Sequence, residues 1–192
     1  AGVIGVAVGI ASQASLSNVI SGLFLVSEKT FDLGDVIRIG DRTGIVHSID
    51  PLSIKLRTFD NLLVRIPNQQ IVDGELVNIT RFPIRRMDFK LTVGMDQPVE
   101  RVGELLKAAA QSVDLALDEP EPLLLFTDIR EGNLHVLLGV WFEKENFVAV
   151  KNAMTIEIQR RFHEAGIPFG EPMVRLSSTT AAGGTQSHFL RR

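Results

Sequence analysis

Residues 1–27 read AGVIGVAVGIASQASLSNVISGLFLVS, a run without one ionisable side chain. As a helix it would be about 40 Å long at ~1.5 Å per residue, against a hydrocarbon core of about 30 Å, so its length permits a membrane crossing. Its composition is thin for that role: nine of the first fifteen residues are Gly, Ala or Ser. Ser12, Gln13, Ser15, Ser17 and Asn18 are polar and fall in mid-run, where a lone lipid-exposed helix tolerates them least. The stretch therefore reads as two helices meeting in a bend near Gln13–Ser15.

A helical wheel sorts residues 1–15 into faces. Val3, Val6, Ile10 and Gln13 share one stripe. Gly2, Gly5, Gly9 and Ser12 lie on one flank of it, Ala7, Ala11 and Ala14 on the other, while Ile4 and Val8 point away. In lipid, helices associate by close backbone packing, so small residues mark contact surfaces. Two unlike small-residue flanks suit a head-to-tail arrangement of identical copies, which closes into a ring. The stripe between them then faces the ring axis, and Val6 and Ile10, one turn apart, line a central hole of the kind that gates by dewetting. A buried helix of a soluble core, or a membrane helix packed against unlike neighbours, fits the same wheel. In the second half, Leu16, Val19, Ile20, Leu23 and Phe24 follow i, i+3, i+4, i+7, i+8, an amphipathic pattern suited to a membrane surface or to a core.

After Lys29 the chain changes to short strands with turn punctuation. DVIRIGDRTGIVHSI alternates around a DRTG turn, SIKLRTFDNLLVRIP around Asp60 and Asn61, and IVDGELVNIT adds a further short pair, which together predict a small, Sm-like β domain over 30–82. Pro67 and Asn68 end a strand, since Pro supplies no ladder donor. From residue 83 the pattern mixes both periods. MDFKLTV is a strand and Pro98–Val113 a helix with Val99, Val102, Leu105, Leu106 and Ala109 on one face. LLLFTDIR and LHVLLGVWFE form a hairpin across Glu131, Gly132 and Asn133; residues 147–165 form a helix capped by Gly166, and PMVRL is a last strand. The order β-α-β-β-α-β predicts a ferredoxin-like α/β domain over 83–176. The expected fold class is thus a membrane helix plus α+β: a bent Gly/Ala-rich membrane helix (1–29), then the small β domain and the ferredoxin-like α/β domain, with 177–192 a small, polar, disordered tail.

The 192 residues carry a net charge of −3, 6% aromatics and no Tyr, which removes both the electrostatic and the stacking case for nucleic acid. Zero Cys excludes disulfides, thiolate metal sites and Cys nucleophiles. His47, His135, His163 and His188 have no metal-ligand spacing, and neither a phosphate-binding Gly loop nor a dinucleotide fingerprint occurs, so no metal and no cofactor is expected. Asp118, Glu119 and Glu121 read as a solvated loop, and Arg81, Arg85 and Arg86 as an interdomain ion-pair network. None of this calls for an enzyme. A start on Ala1, with no basic segment ahead of the apolar run and no cleavage pattern after it, is expected of a fragment beginning inside a longer protein.

GVAVGIASQASLSNVISGLFLV (5–26), FDLGDVIRIGDRTGIVHSI (31–49) and VRIPNQQIVDGELVNITRFPIRR (64–86) together resemble the pore helix and β domain of the small-conductance mechanosensitive channel (MscS-like) family. The ordered set is specific: a Gly/Ala pore helix, a QxSLSN bend, a G-D-x-[IV] strand start, a PN strand end and an NxxRxPxRR junction. The resemblance extends over about residues 1–176. It implies a homo-oligomer, a heptamer, in an inner (plasma) membrane, opened by bilayer tension to release ions and small osmolytes in hypo-osmotic shock, with residues after about 30 forming a cytoplasmic cage. It puts the apolar seal on Val6 and Ile10, where Leu is usual, and hinges at Ala14, where many members have Gly, and at Gly22. Membrane lipids are implied partners, and tension-sensing helices upstream are implied as well. The alternative is a membrane-anchored scaffold or binding module without a pore, which needs no ring.

Overall fold

A computed structural model describes residues 2–169. The chain divides into two compact units between Pro83 and Ile84.

The first unit opens with helix α1, Gly2–Glu28, which ends where Lys29 turns left-handed at φ 51°. One uninterrupted helix runs through Gln13–Ser15, where two were expected to meet. The polar residues there do not break it because no Gly or Pro stands among them, and Asn18 Nδ2 donates to the Ala14 carbonyl at 2.8 Å, keeping its amide on the helix itself.

Strands β1 (Val36–Ile39), β2 (Arg42–Ile49), β3 (Ser53–Arg57), β4 (Leu63–Pro67) and β5 (Leu76–Asn78) form an antiparallel sheet in the order β4-β3-β2-β1-β5. Alternate residues Ile37, Ile39, Val46, Ile54, Leu56 and Ile66 point inward and make its core with Leu25 of α1 and Phe31. Two local expectations change. The β1–β2 turn is Gly40–Asp41, with Gly40 at φ 58°, whereas the Gly of DRTG, Gly44, lies inside β2. A Cβ on Gly44 would stand 2.9 Å from the Arg57 carbonyl, so strand approach, not turning, requires glycine there. Residues Ile71–Asp73, expected to be strand, belong to a short helix α2, Asn68–Asp73. Pro67 cannot extend the ladder, and the six-residue helix is held by burying Asn68 and Ile71 rather than by propensity.

The second unit is the ferredoxin-like one. Strand β6 (Ile84–Gly94), helix α3 (Val99–Gln111), strands β7 (Leu123–Arg130) and β8 (Asn133–Glu143), and helix α4 (Phe147–Glu164) place an antiparallel sheet of order β6-β8-β7 against two helices. Val102, Leu106 and Ala109 of α3 and Val150, Met154, Ile158 and Phe162 of α4 pack on Leu134, Val136, Leu138, Val140 and Phe142 of β8. Asn133 is the first residue of β8, so the β7–β8 turn is only Glu131–Gly132, with φ 54° and 74°; positive φ at both centres is what a two-residue hairpin requires. Gly166, at φ 66°, follows α4 as expected. Phe169 makes an antiparallel bridge to Val93 of β6 and stacks on Phe162 at 5.1 Å. The strand expected at PMVRL and the tail expected over 177–192 lie outside the described residues.

Helices α3 and α4 are joined through Glu157, whose carboxylate accepts from Arg160 and Arg161 at 2.6 Å and from Ser112 Oγ at 2.9 Å. These bonds, the Arg160 bond foremost, hold its pKa at about 2, below the ordinary 4.5. A carboxyl depressed on folding contributes stability that is complete above about pH 4.5 and is lost as pH falls towards about 2. Because Arg160 is half-exposed, the contribution is discounted for solvent screening to about 1 kcal/mol. Glu157→Gln is expected to flatten the acid limb of the unfolding curve between pH 4.5 and 2.5 and to leave its neutral limb parallel to that of the parent, as read by circular dichroism melts.

Candidate functional site

Up to Leu16, every described residue of α1 is exposed. Val6 and Ile10 are 64% and 68% accessible. A side-chain carbon added at Gly2, Gly5 or Gly9 would meet nothing within 4 Å. A glycine in a helix interior costs about 1 kcal/mol relative to Ala, and among the described residues no packing accounts for Gly5 and Gly9, nor for Gly2 at the helix start. Ala7, Ala11 and Ala14 are likewise uncovered on the other flank. The helix is long and apolar enough to cross a membrane and presents a continuous apolar surface of the kind that marks a contact site.

The lower half of α1 is organised the other way. Leu16, Ile20, Leu23 and Phe24 are exposed, Val19 is half-buried, and the opposite, small and polar side packs on the β domain. Gly22 is buried at this contact: a Cβ there would be 2.5 Å from Asn68 Nδ2 and 2.8 Å from the Pro51 carbonyl. Asn68, wholly buried, donates its amide to the carbonyls of Asn18 (3.3 Å), Asp50 (3.0 Å) and Pro51 (2.9 Å), so one side chain ties α1 to the β2–β3 turn. Its own Oδ1 is buried without a partner among the described residues. A buried acceptor left unpaired costs about 1–3 kcal/mol. Next to it, the Gln69 N–H donates to Asn18 Oδ1 at 3.0 Å, and Gln69 Oε1 accepts from the hydroxyls of Ser17 and Ser21, the latter at 2.7 Å. The junction therefore consists of Ser17, Asn18, Ser21 and Gly22 of α1 facing Asn68 and Gln69 of α2.

Sequence reasoning treated PN as a strand end and SLSN as a bend, and so missed Asn68, Gln69, Ser17, Asn18 and Ser21 as one site. The usable signal was the hydroxyl- and amide-bearing Ser17, Asn18 and Ser21 on one side and the amide run Asn68–Gln70 on the other, each adjoining an apolar run. Of the residues singled out from sequence, Val6, Ile10 and the two small flanks share the exposed half of α1. Gly22 sits at the junction, and Ala14 lies one turn before Asn18 within unbroken helix.

The basic set makes contacts inside both units. Arg81 is 4.0 Å from Asp32 in the first unit. In the second, Arg85 stacks over Phe147 and Phe142 at 5.3 and 5.9 Å from the ring centroids, and Arg86 pairs with Asp88 at 2.7 Å. Each of these contacts lies within one unit, and Arg85 finds aromatic faces there. Asp118, Glu119 and Glu121 are exposed in the α3–β7 loop. Among the described residues no three metal-ligating side chains converge.

The family model of the mechanosensitive ion channel β-domain matches residues 14–81, and that of the mechanosensitive ion channel MscS C-terminal region matches 86–169. An uncharacterized MscS family protein of Synechocystis is 32% identical over 172 residues, taking in 88% of this chain and 58% of the relative. The small-conductance mechanosensitive channel of Edwardsiella ictaluri is 29% identical over 180 residues, with 93% and 63% covered. The chain thus spans about three-fifths of the length of the curated relatives it matches. Closed-state Helicobacter pylori MscS superposes with a TM-score of 0.85 at 22% identity, covering 94% of this chain and 72% of that one. Arabidopsis thaliana MSL1 superposes at 0.74 and 22%, covering 88% and 64%. At these identities the structural likeness establishes the fold. Taken with two family models that match in chain order on either side of the division between the units, it leaves one assignment: the chain belongs to the MscS-like family of mechanosensitive ion channels.

Proposed function

We propose that the protein is a subunit of a tension-gated channel in which α1 lines the pore. The observation that carries this reading is the emptiness around Gly2, Gly5 and Gly9: their cost to the helix is offset only if another backbone approaches them, and the Ala flank of an identical copy has the right shape. Seven copies in a head-to-tail ring put Val6 and Ile10 on the axis as stacked apolar rings that exclude water when narrow. Leu16, Ile20, Leu23 and Phe24 then lie in the membrane surface, where lipids are their neighbours, and residues after about 30 form a cytoplasmic cage from the β domain (30–82) and the ferredoxin-like domain (83–176). Tension favours the state of larger in-plane area, α1 helices separate, and ions and small osmolytes leave the cell during hypo-osmotic shock from an inner (plasma) membrane. Nothing in this mechanism requires catalysis or a cofactor.

Patch-clamp recording of the protein in liposomes under stepped suction tests it. Stepwise currents that appear only above a tension threshold, together with a sevenfold mass on native mass spectrometry, are the expected result. Silence up to membrane rupture with a monomeric mass overturns the channel in favour of a membrane-anchored scaffold.

A further inference from the structure

At the junction, one amide faces two different kinds of partner. Gln69 Oε1 accepts from the Ser17 and Ser21 hydroxyls of α1, while Gln69 Nε2 donates to Asp73 Oδ1 at 2.6 Å, one turn further along α2. A serine hydroxyl donates or accepts equally well, so Ser17 and Ser21 do not select which end of the amide meets them. A carboxylate only accepts. Turning the Gln69 amide over would place its oxygen against the Asp73 oxygen, acceptor against acceptor. We infer that Asp73, whose carboxylate accepts from Gln69 on its own helix, is a positioning residue that fixes the Gln69 amide and thereby sets the strength of the hold that the β domain has on the pore-lining helix.

The consequence is a relay from Asp73 through Gln69 to Ser17 and Ser21. With the amide locked, both hydroxyls are committed to α2. With it free, they revert to bonding the carbonyls one turn back on their own helix, an alternative open to any helical Ser, and the hold on α1 is weakened to the Asn18 and Asn68 bonds and the Gly22 contact. That helix is the pore-lining one only on the proposed function, so the relay's effect on gating rests on that reading. Its effect on the junction does not. Asp73 is exposed and sits near the end of α2, so its replacement removes no core contact.

The test is amide hydrogen exchange across residues 17–25 of the protein in liposomes, with opening tension recorded on the same preparations. Asp73→Lys offers a donor where the amide needs an acceptor, and is expected to raise exchange there about tenfold; Asp73→Asn, which keeps a neutral acceptor, about threefold. Gln69→Glu combined with Asp73→Lys restores an acceptor for the serines and a partner for the lysine, and is expected to return exchange to within about twofold of the parent. In a Ser17→Ala/Ser21→Ala background, Asp73→Lys is expected to change nothing further, because the relay has lost its last members. An Asp73→Lys effect of undiminished size in that background, or one that Gln69→Glu leaves unrescued, overturns the inference. If Asp73→Lys fails to assemble, Asp73→Asn carries the same cycle. Exchange is read without current, so silent patches would count against the channel while the relay stands or falls on its own measurement.

Discussion

Gly22→Ala is expected to destabilise the protein by about 2–3 kcal/mol, against the direction that helix propensity alone dictates. In an isolated helix the change would stabilise by about 1 kcal/mol. Here the added carbon meets Asn68 Nδ2 at 2.5 Å and the Pro51 carbonyl at 2.8 Å. The amide nitrogen belongs to a wholly buried side chain and the oxygen to backbone, so neither swings aside cheaply. Displacing Asn68 breaks the bonds its amide makes to the Asn18, Asp50 and Pro51 carbonyls and leaves a wholly buried amide without them. Thermal melts of purified Gly22→Ala beside the parent measure this. A gain in stability would mean that Gly22 serves as a helix hinge and not as a contact, returning it to the role the family resemblance implies. The same substitution at Gly9 meets nothing within 4 Å among the described residues, so a loss there is expected to report on the contacts between copies in the proposed ring.

That contrast shows why some features of this protein are legible in its sequence and others are not. The two small flanks of α1 can be read on a wheel because a regular helix converts spacing into direction, and Gly2, Gly5 and Gly9 lie on the same exposed half of the helix in the structure. Buried strands were equally readable, since Ile37, Ile39, Ile54 and Leu56 alternate with polar neighbours and become the β-domain core. Helix α2 was not. Its six residues hold too few turns for a period to emerge, and Ile71 and Val72 mimic a strand. What fixes it is the burial of Asn68 and Ile71 against segments remote in sequence. The junction was invisible for the same reason: the amides of Asn68 and Gln69 acquire meaning only when residues 17–22 are placed some fifty positions away in sequence and hydrogen-bond distance in space. Two helices were expected to meet at Gln13–Ser15, where one runs on, because polarity was treated as evidence against helix continuity. Polarity bears on what surrounds a helix, whereas continuity depends on backbone donors and steric fit.

Val6→Asp is expected to have the largest functional effect of any single change. In the proposed ring, one substitution places a carboxylate in every copy at the apolar constriction. A closed pore of this kind is held by the unfavourable hydration of a narrow apolar ring. Seven carboxylates at one level repel one another and bring their own water, so the dry state loses its advantage, and only a wider pore relieves both terms. Opening tension is expected to fall well below that of the parent, with leak at rest that slows growth of cells making the variant. Val8→Asp provides the directional control. Val8 points away from the axis, so a charge there costs about 2.5–3.5 kcal/mol in hydrocarbon without hydrating the pore, and lowers the yield of inserted protein rather than the threshold. Patch-clamp thresholds for the two variants, normalised to protein in the bilayer, separate the cases. An unchanged threshold for Val6→Asp would remove Val6 from the pore axis, and a lowered threshold for Val8→Asp alone would rotate α1 by about 160–200° about its own axis, exchanging its lining and outward faces.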